Sequence, residues 1–323
     1  MRYVIFGAGA IGGVVGGRLW QAGHEVTLVA RGAHLERLQN AGLRLETPEG
    51  SDTLRIPAVA DPAMIGWRSD DVVLLAVKSH QTPAALAALA STAPPDTAVV
   101  CLQNGIANEP AALRIFERVQ AVWVACPTSH LEPGIVQAWS APITGMLDVG
   151  RYPDGVDDLT EGVCRDFRSA TFSSLAVAAV ERWKLRKLLT NLGNAIEAVC
   201  GLSARGGRLA ELVDREAVAV LAAAGLDAAT ADENRLRRGD LLQLGPIAGR
   251  TRLGGSSWQS LQRATGDIET DYLNGEIVLL GRLHGVPAPA NQLLQRLSRE
   301  LAAGRRPPGA VSEEDVLQLL LPG

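Results

Sequence analysis

Arg2 to Phe6 is a short apolar, β-branched run, the pattern of a strand buried on both faces of a parallel sheet. The segment Gly7-Ala8-Gly9-Ala10-Ile11-Gly12 follows at once, then a helical stretch of small residues that ends at Gly23. A second strand is expected over Glu25 to Ala30, which completes a βαβ unit of about 30 residues with the glycines at its first turn. The alternating runs Leu43–Thr47 and Thr53–Val59 flank Pro48-Glu49-Gly50 and predict a hairpin. Further strands are expected at Asp71–Val77, Thr97–Leu102, Gln120–Cys126, Ile135–Trp139 and Gly145–Val149. Helices are expected at Thr82–Ser91, Glu109–Arg118 and Gly155–Ser169. Strands alternating with helical patterns imply an α/β fold, a doubly wound parallel sheet of Rossmann type.

After about Ala176 the strand-like runs stop. Helical patterns cover 180–200, 205–224, 227–239, 258–284 and 290–302, with Gly245–Gly255 as a glycine-rich interruption. Gly304–Gly309 reads as a loose connector and Glu313–Leu321 as a short terminal helix. The expected division is 1–176 for the α/β domain and 177–323 for an all-helical one.

Composition narrows the function classes. A chain of 323 residues has room for two cores at roughly 100–200 residues per domain. Apolar residues at 47% and charged residues at 20% are ordinary for globular chains, and a net charge of -4 argues against a nucleic-acid surface or a polybasic membrane patch. Cys101, Cys126, Cys164 and Cys200 form no CxxC pair and no histidine cluster accompanies them, so neither a disulfide framework nor a metal site is expected. A reduced, cytoplasmic compartment fits this cysteine usage. No apolar run reaches the ~18 residues that span a bilayer, and the first strand enters the glycine loop without the apolar core of a signal peptide. Assembly as a homodimer is left open.

The glycine segment gains weight from its context, because it follows a strand and opens a helix. Gly7 allows the tight turn, Gly9 lets a pyrophosphate approach the backbone, and Gly12 permits close packing of helix and strand. Ala8, Ala10 and Ile11 complete the loop, and the helix N-terminus offers N–H donors to phosphates. At the end of the second strand an acidic residue would accept from a ribose 2′-hydroxyl. This chain has Ala30-Arg31-Gly32 instead, and the Arg31 fork suits a 2′-phosphate. NADP(H) is therefore the expected cofactor.

A second feature stands on the first C-terminal helix. Leu185, Leu188, Leu189, Leu192, Ile196 and Val199 recur at helical spacing and define a packed face. Lys187, Asn191 and Asn194 share another face, at i, i+4 and i+7. Asparagine is a poor helix former, so two on one stripe suit a ligand-facing surface, with a solvated face carrying incidental asparagines as the equal alternative. Lys184 and Arg186 lie off that stripe and are expected to matter less.

With Val77-Lys78, Gln103-Asn104-Gly105, Lys187-Leu188-x-x-Asn191, Ser256-Ser257 and Ile268-Glu269-x-Asp271-Tyr272-x-Asn274-Gly275, the chain resembles the ketopantoate reductase (2-dehydropantoate 2-reductase) family over nearly its whole length. That family belongs to the fold group of 6-phosphogluconate dehydrogenase, whose C-terminal domain is all-helical. The resemblance implies NADPH-dependent reduction of a 2-oxo acid, ketopantoate first, to a 2-hydroxy acid in pantothenate biosynthesis. It implies Lys187 as the catalytic lysine and Glu269 as the glutamate near the cofactor ribose and nicotinamide. Asn104 would lie between cofactor and substrate, Asn191, Asn194 and Ser257 would hold the oxo acid, and Lys78 and Arg31 would face the adenosine phosphate. Read as residues alone, Lys78 also suits a strand-end surface lysine, Asn104-Gly105 a plain turn, Ser256-Ser257 a helix cap, and Glu269 and Asp271 early-turn acids. Two positions depart from the family: Gly254 and Ala195 stand where members often carry asparagine. A same-fold oxidoreductase acting on another 2-oxo acid or an imine, and a non-catalytic NADP(H)-binding regulator, are the alternatives.

Overall fold

The computed structural model describes residues 1–252 and 254–321; Leu253, within the Gly245–Gly255 stretch, and the terminal Pro322 and Gly323 lie outside the described residues. The strands are β1 (Arg2–Phe6), β2 (Val26–Val29), β3 (Leu43–Thr47), β4 (Gly50–Leu54), β5 (Ala58–Val59), β6 (Asp71–Leu75), β7 (Ala98–Cys101), β8 (Val119–Ala125), β9 (Thr128–Ser129), β10 (Ile135–Ala138), β11 (Gly145–Arg151) and β12 (Phe172–Ser173). Among them run α1 (Ala10–Gln21), α2 (Gly32–Ala41), α3 (Thr82–Ala90), α4 (Asn108–Leu113) and α5 (Asp158–Ser169). The remaining helices are α6 (Val180–Cys200), α7 (Arg208–Ala223), α8 (Ala231–Arg238), α9 (Ser256–Gln262), α10 (Asn274–His284), α11 (Pro289–Ala303) and α12 (Glu313–Gln318).

The main sheet has eight strands in the order β12-β11-β8-β7-β6-β1-β2-β5. It is parallel from β5 through β8, and β11 then runs antiparallel to β8. The sheet is thus doubly wound, and its strand order turns around at β1, where chains leave in both directions; ligands of such sheets bind at that reversal, beyond the carboxyl ends of the strands. A second, four-stranded sheet has the order β4-β3-β10-β9. Its β3–β4 pair is the hairpin expected around Pro48-Glu49-Gly50, but β5 leaves it to pair with β2.

Helix α1 lies between the two sheets, which explains its unusual glycine content. A Cβ on Gly16 would press on Ile5 and Leu28 of the main sheet, at 2.9 and 3.0 Å. One on Gly13 would come 2.8 Å from Val136 of the smaller sheet. Close packing on both sides outweighs the roughly 1 kcal/mol per residue by which glycine weakens a helix interior.

Two compact units result: Met1–Lys184 with Ala231–Arg252, and Leu185–Thr230 with Leu253–Gly323. This division differs from a single break near residue 176. Helix α8 and the segment after it return to the sheet-bearing unit because side chains bind them there. Arg237 forks onto Asp148 at 2.6 and 2.7 Å, Arg182 pairs with Glu233, and Arg250 reaches Glu46 at 2.8 Å. Sequence periodicity carries no sign of such long-range pairs.

The helical unit is all-α as expected, with one difference. The pattern over 258–284 is not one helix. Helix α9 stops at Gln262, Ala264 and Gly266 take left-handed backbone (φ 52 and 85), and a 3-10 turn at Thr270–Tyr272 precedes α10. The break puts Glu269 on a turn rather than inside a helix. No described helix is long and apolar enough to cross a membrane, and no described group of His, Cys, Asp and Glu could hold a metal ion.

Candidate active site

The sheet-bearing unit gathers its expected cofactor residues at the carboxyl ends of β1, β2, β6 and β7. The glycine loop leaves β1, and the Gly7 amide donates to Val29 at the end of β2 at 3.1 Å. Gly7 has φ 106, and a Cβ there would lie 2.8 Å from the Val77 nitrogen, so the loop abuts the residue before Lys78. Gly12 is sealed in, because its Cβ would overlap the Gly7 carbonyl oxygen. Gly9 differs: a Cβ there would meet nothing within 4 Å. It caps α1 with backbone alone, leaving the helix N-terminus without a side-chain partner. An open approach, free N–H groups and the positive end of a 12-residue helix fit a pyrophosphate.

The loop is braced from behind. His34 Nδ1 accepts from the Gly134 amide at 2.9 Å, which fixes the ring proton on Nε2, and Nε2 then donates to the Ala8 carbonyl at 2.8 Å. Burial pushes the His34 pKa down, and the Ala8 bond only partly opposes it. Arg31 precedes α2, is exposed, and enters no ion pair among the described residues. That leaves a guanidinium open to a 2′-phosphate.

Lys78 and Asn104 stand on adjacent loops after β6 and β7. A buried polar network joins them from below. Asn108 Nδ2 donates to Ser79 Oγ at 3.0 Å and to the Asn104 carbonyl at 3.1 Å. Thr82 Oγ1 donates to Asn108 Oδ1 at 2.7 Å and accepts from Gln103 Nε2 at 3.1 Å. Lys184 Nζ donates to the Gln103 carbonyl at 2.9 Å and sits 2.5 Å from Glu109 Oε1. By sequence Lys184 lies off the Lys187 stripe and carries a smaller expected effect. In the structure it is buried with a charged partner, and its signal was available: it falls four residues before Leu188 and eight before Leu192, in the register of the packed face.

The helical unit carries the other half of the candidate set. Leu188, Leu192, Ile196 and Val199 are fully buried, so α6 is anchored along that face. Lys187 is half-buried, and Asn191, one turn on, is buried. Among the described residues Asn191 Nδ2 has no hydrogen-bond partner, and neither has Ser257 Oγ at the start of α9. Asn194, expected beside them as a substrate contact, is otherwise engaged. Its Oδ1 accepts from Arg205 at 3.2 Å and its Nδ2 donates to Ser256 Oγ at 3.3 Å. Glu197 completes this clasp, accepting from the Gly255 amide at 2.6 Å and from Arg205 at 2.5 Å. Asn194 and Glu197 therefore hold the first residues of α9 against α6, and Ser257 is presented from that junction. Glu269 is buried at the turn before α10, whose Asn274 donates to the Leu192 carbonyl at 3.4 Å.

The two departures acquire physical content. Ala195 is buried, and Asn194 makes polar contacts in its stead. A Cβ on Gly254 would overlap the Trp258 ring, so the indole fills the space an amide side chain would take.

The ketopantoate reductase PanE/ApbA family matches at residues 3–151, and its C-terminal family at residues 179–302. A 2-dehydropantoate 2-reductase of Pyrococcus horikoshii is 31% identical over 305 residues, which is 92% of this chain and 96% of that protein. The crystal structure of a PanE/ApbA family ketopantoate reductase from Ralstonia eutropha JMP134 superposes with a TM-score of 0.79 at 29% identity, covering 94% of this chain and 99% of the other. A D-mandelate dehydrogenase with NADH and anilino(oxo)acetate has the same TM-score of 0.79 over 94% and 99% of the two chains at 20% identity, a likeness of fold. With both its sheet-bearing and helical segments matched, and an archaeal relative sharing nearly a third of its residues, the chain belongs to the ketopantoate reductase family of oxidoreductases.

Proposed function

We propose that this chain reduces a 2-oxo acid to a 2-hydroxy acid with NADPH, ketopantoate being the first substrate to try. The observation that carries this reading is the pair of buried atoms without partners, Asn191 Nδ2 and Ser257 Oγ, on the unit that bears Lys187. Leaving a buried donor unsatisfied costs about 1–3 kcal/mol, a cost that a ligand accepting from it would recover. A carboxylate or hydroxyl of a 2-oxo acid supplies the missing acceptors.

The bound nicotinamide would supply the hydride. Gly9, the α1 N-terminus, Arg31 and Lys78 would hold the dinucleotide, with Asn104 and Glu269 at its nicotinamide end. Lys187 Nζ would stabilise the negative charge that develops on the ketone oxygen and pass it a proton. Asn191 and Ser257 would orient the acid for attack. NADPH is favoured over NADH by Arg31 and by the lack of a carboxylate at the end of β2. A fold neighbour carries NADH, so the preference rests on this chain's own residues.

A second reading is favoured by Trp258, whose indole stands where an amide side chain at residue 254 would offer a polar partner: an oxo acid more apolar than ketopantoate is the better substrate. The deciding experiment is NADPH oxidation against a panel of 2-oxo acids that includes ketopantoate. Turnover of ketopantoate well above that of more apolar acids supports the first reading, and the reverse order supports the second. No turnover of any 2-oxo acid overturns both. Gly254→Asn alone would collide with the indole, so the restoring variant is Gly254→Asn with Trp258→Ala.

A further inference from the structure

Lys184 and Glu109 form a buried ion pair outside the set of residues that would touch substrate or cofactor. Their side chains are 4% and 1% exposed, and Nζ lies 2.5 Å from Oε1. That carboxylate oxygen accepts no hydrogen bond of good geometry, so the attraction is chiefly one of charge. The directed bond of the ammonium goes elsewhere, 2.9 Å to the carbonyl oxygen of Gln103. This carbonyl belongs to the peptide that leads into Asn104.

A buried ion pair is a poor source of stability. Stripping water from both charges costs several kcal/mol per ion, and a well-packed apolar pair often does as well. What the pair provides here is aim. Glu109, held at the start of α4, fixes the ammonium, and the ammonium fixes one peptide. Asn108, the neighbour of Glu109, fixes the next carbonyl at 3.1 Å, and Thr82 holds the Gln103 side chain. Gly105 then turns the chain away with φ 78. The backbone of Gln103 and Asn104 is thereby gripped at two successive carbonyls, so the direction of the Asn104 side chain is determined by buried charge rather than by loop propensity.

We propose that Lys184 is a positioning residue: anchored by Glu109, it holds the Gln103 carbonyl and so keeps the Asn104 amide in its working orientation. The proposal rests on the reading of Asn104 as a group at the nicotinamide end of the site. A rotation of this peptide would displace the amide, and misplacement by about 1 Å can lower a rate by 10²-fold.

The test uses the full-length protein in three forms: parent, Lys184→Met, and Lys184→Met with Glu109→Leu. The single variant strands a buried carboxylate and should lower the melting temperature. The double variant removes both charges and should recover most of that loss, yet it still lacks a donor for the Gln103 carbonyl. We expect the double variant to bind NADPH with near-parent affinity by fluorescence titration. Its kcat with the best 2-oxo acid should fall ~10–100-fold, and hydrogen exchange of the amides at 103–107 should be faster than in the parent. Recovery of parent kcat together with stability would make the pair merely structural and overturn the proposal, as would unchanged exchange. If neither variant folds, the parent still decides: a gripped loop exchanges its 104–106 amides slowly without ligand, and fast exchange there refutes the grip. Should the parent reduce no 2-oxo acid, the functional reading fails, while the exchange data still judge the clamp.

Discussion

Polar groups are buried both behind the Gln103–Gly105 loop and along Asn191 and Ser257, yet the two regions treat them differently. Behind the loop nearly every donor meets an acceptor of the chain itself: Lys184 on Gln103, Gln103 on Thr82, Thr82 on Asn108, Asn108 on Ser79 and Asn104. Only the Gln103 amide oxygen is left over among these. On the helical unit Asn191 Nδ2 and Ser257 Oγ are buried and unmatched, while Asn194 a turn away is satisfied by Ser256 and Arg205. A closed network holds shape, whereas the open donors are the ones we propose a substrate meets. Two asparagines that look alike on one stripe thus differ in the fold: Asn194 is bonded within the chain and the Asn191 Nδ2 is not.

The largest effect should come from Lys187→Ala. Loss of the proposed general acid should lower kcat by ~10²-fold or more, with NADPH affinity close to parent in a fluorescence titration. Near-parent turnover would remove Lys187 from its role and leave the open donors of Asn191 and Ser257 serving some other chemistry.

A pair of asparagine variants separates the closed network from the open donors. Asn108→Ala breaks the closed network and should cost about 1–3 kcal/mol of folding stability in urea titration. Asn191→Ala removes an atom that has no partner in the free protein, so stability should hold or rise, while KM for the oxo acid rises about tenfold or more. Equal destabilisation by the two would mean that Asn191 is held by the fold as firmly as Asn108.

Arg31→Ala should weaken NADPH by about tenfold, the scale of one charged hydrogen bond, and leave NADH nearly unchanged. Parent protein that binds both nucleotides equally would refute the 2′-phosphate role.

The smallest effect concerns His34. Its folded pKa is pushed below the ordinary value of 6.5, first by burial, so the folded state favours the neutral ring. The unfolded chain takes up the proton more readily. The stability it contributes is therefore complete above pH 6.5 and is lost as pH falls from there through the lowered folded value. Melting curves at pH 8 and pH 5 should converge in His34→Gln, which keeps an N–H for the Ala8 carbonyl but does not titrate. An unchanged pH dependence would place the titration elsewhere.

Much of this molecule could be read from local pattern. The β1–glycine loop–α1 unit, the alternation of strands and helices, the packed face of α6 and the Lys187–Asn191 spacing all follow from periodicities of two and 3.6 residues and from what glycine alone permits. Tertiary structure decided the rest, because it depends on which distant residues meet. Lys184 is an ordinary helix lysine until Glu109 and the Gln103 carbonyl surround it. Asn194 reads from spacing as a substrate ligand, and only the fold shows its bonds to Arg205 and Ser256. Gly254 is a missing amide until Trp258 fills its space. Residues 231–252 look like part of the helical run until Arg237 and Arg250 fasten them to Asp148 and Glu46. Period and propensity act over a few residues, whereas desolvation and charge pairing act between residues that only the fold makes neighbours.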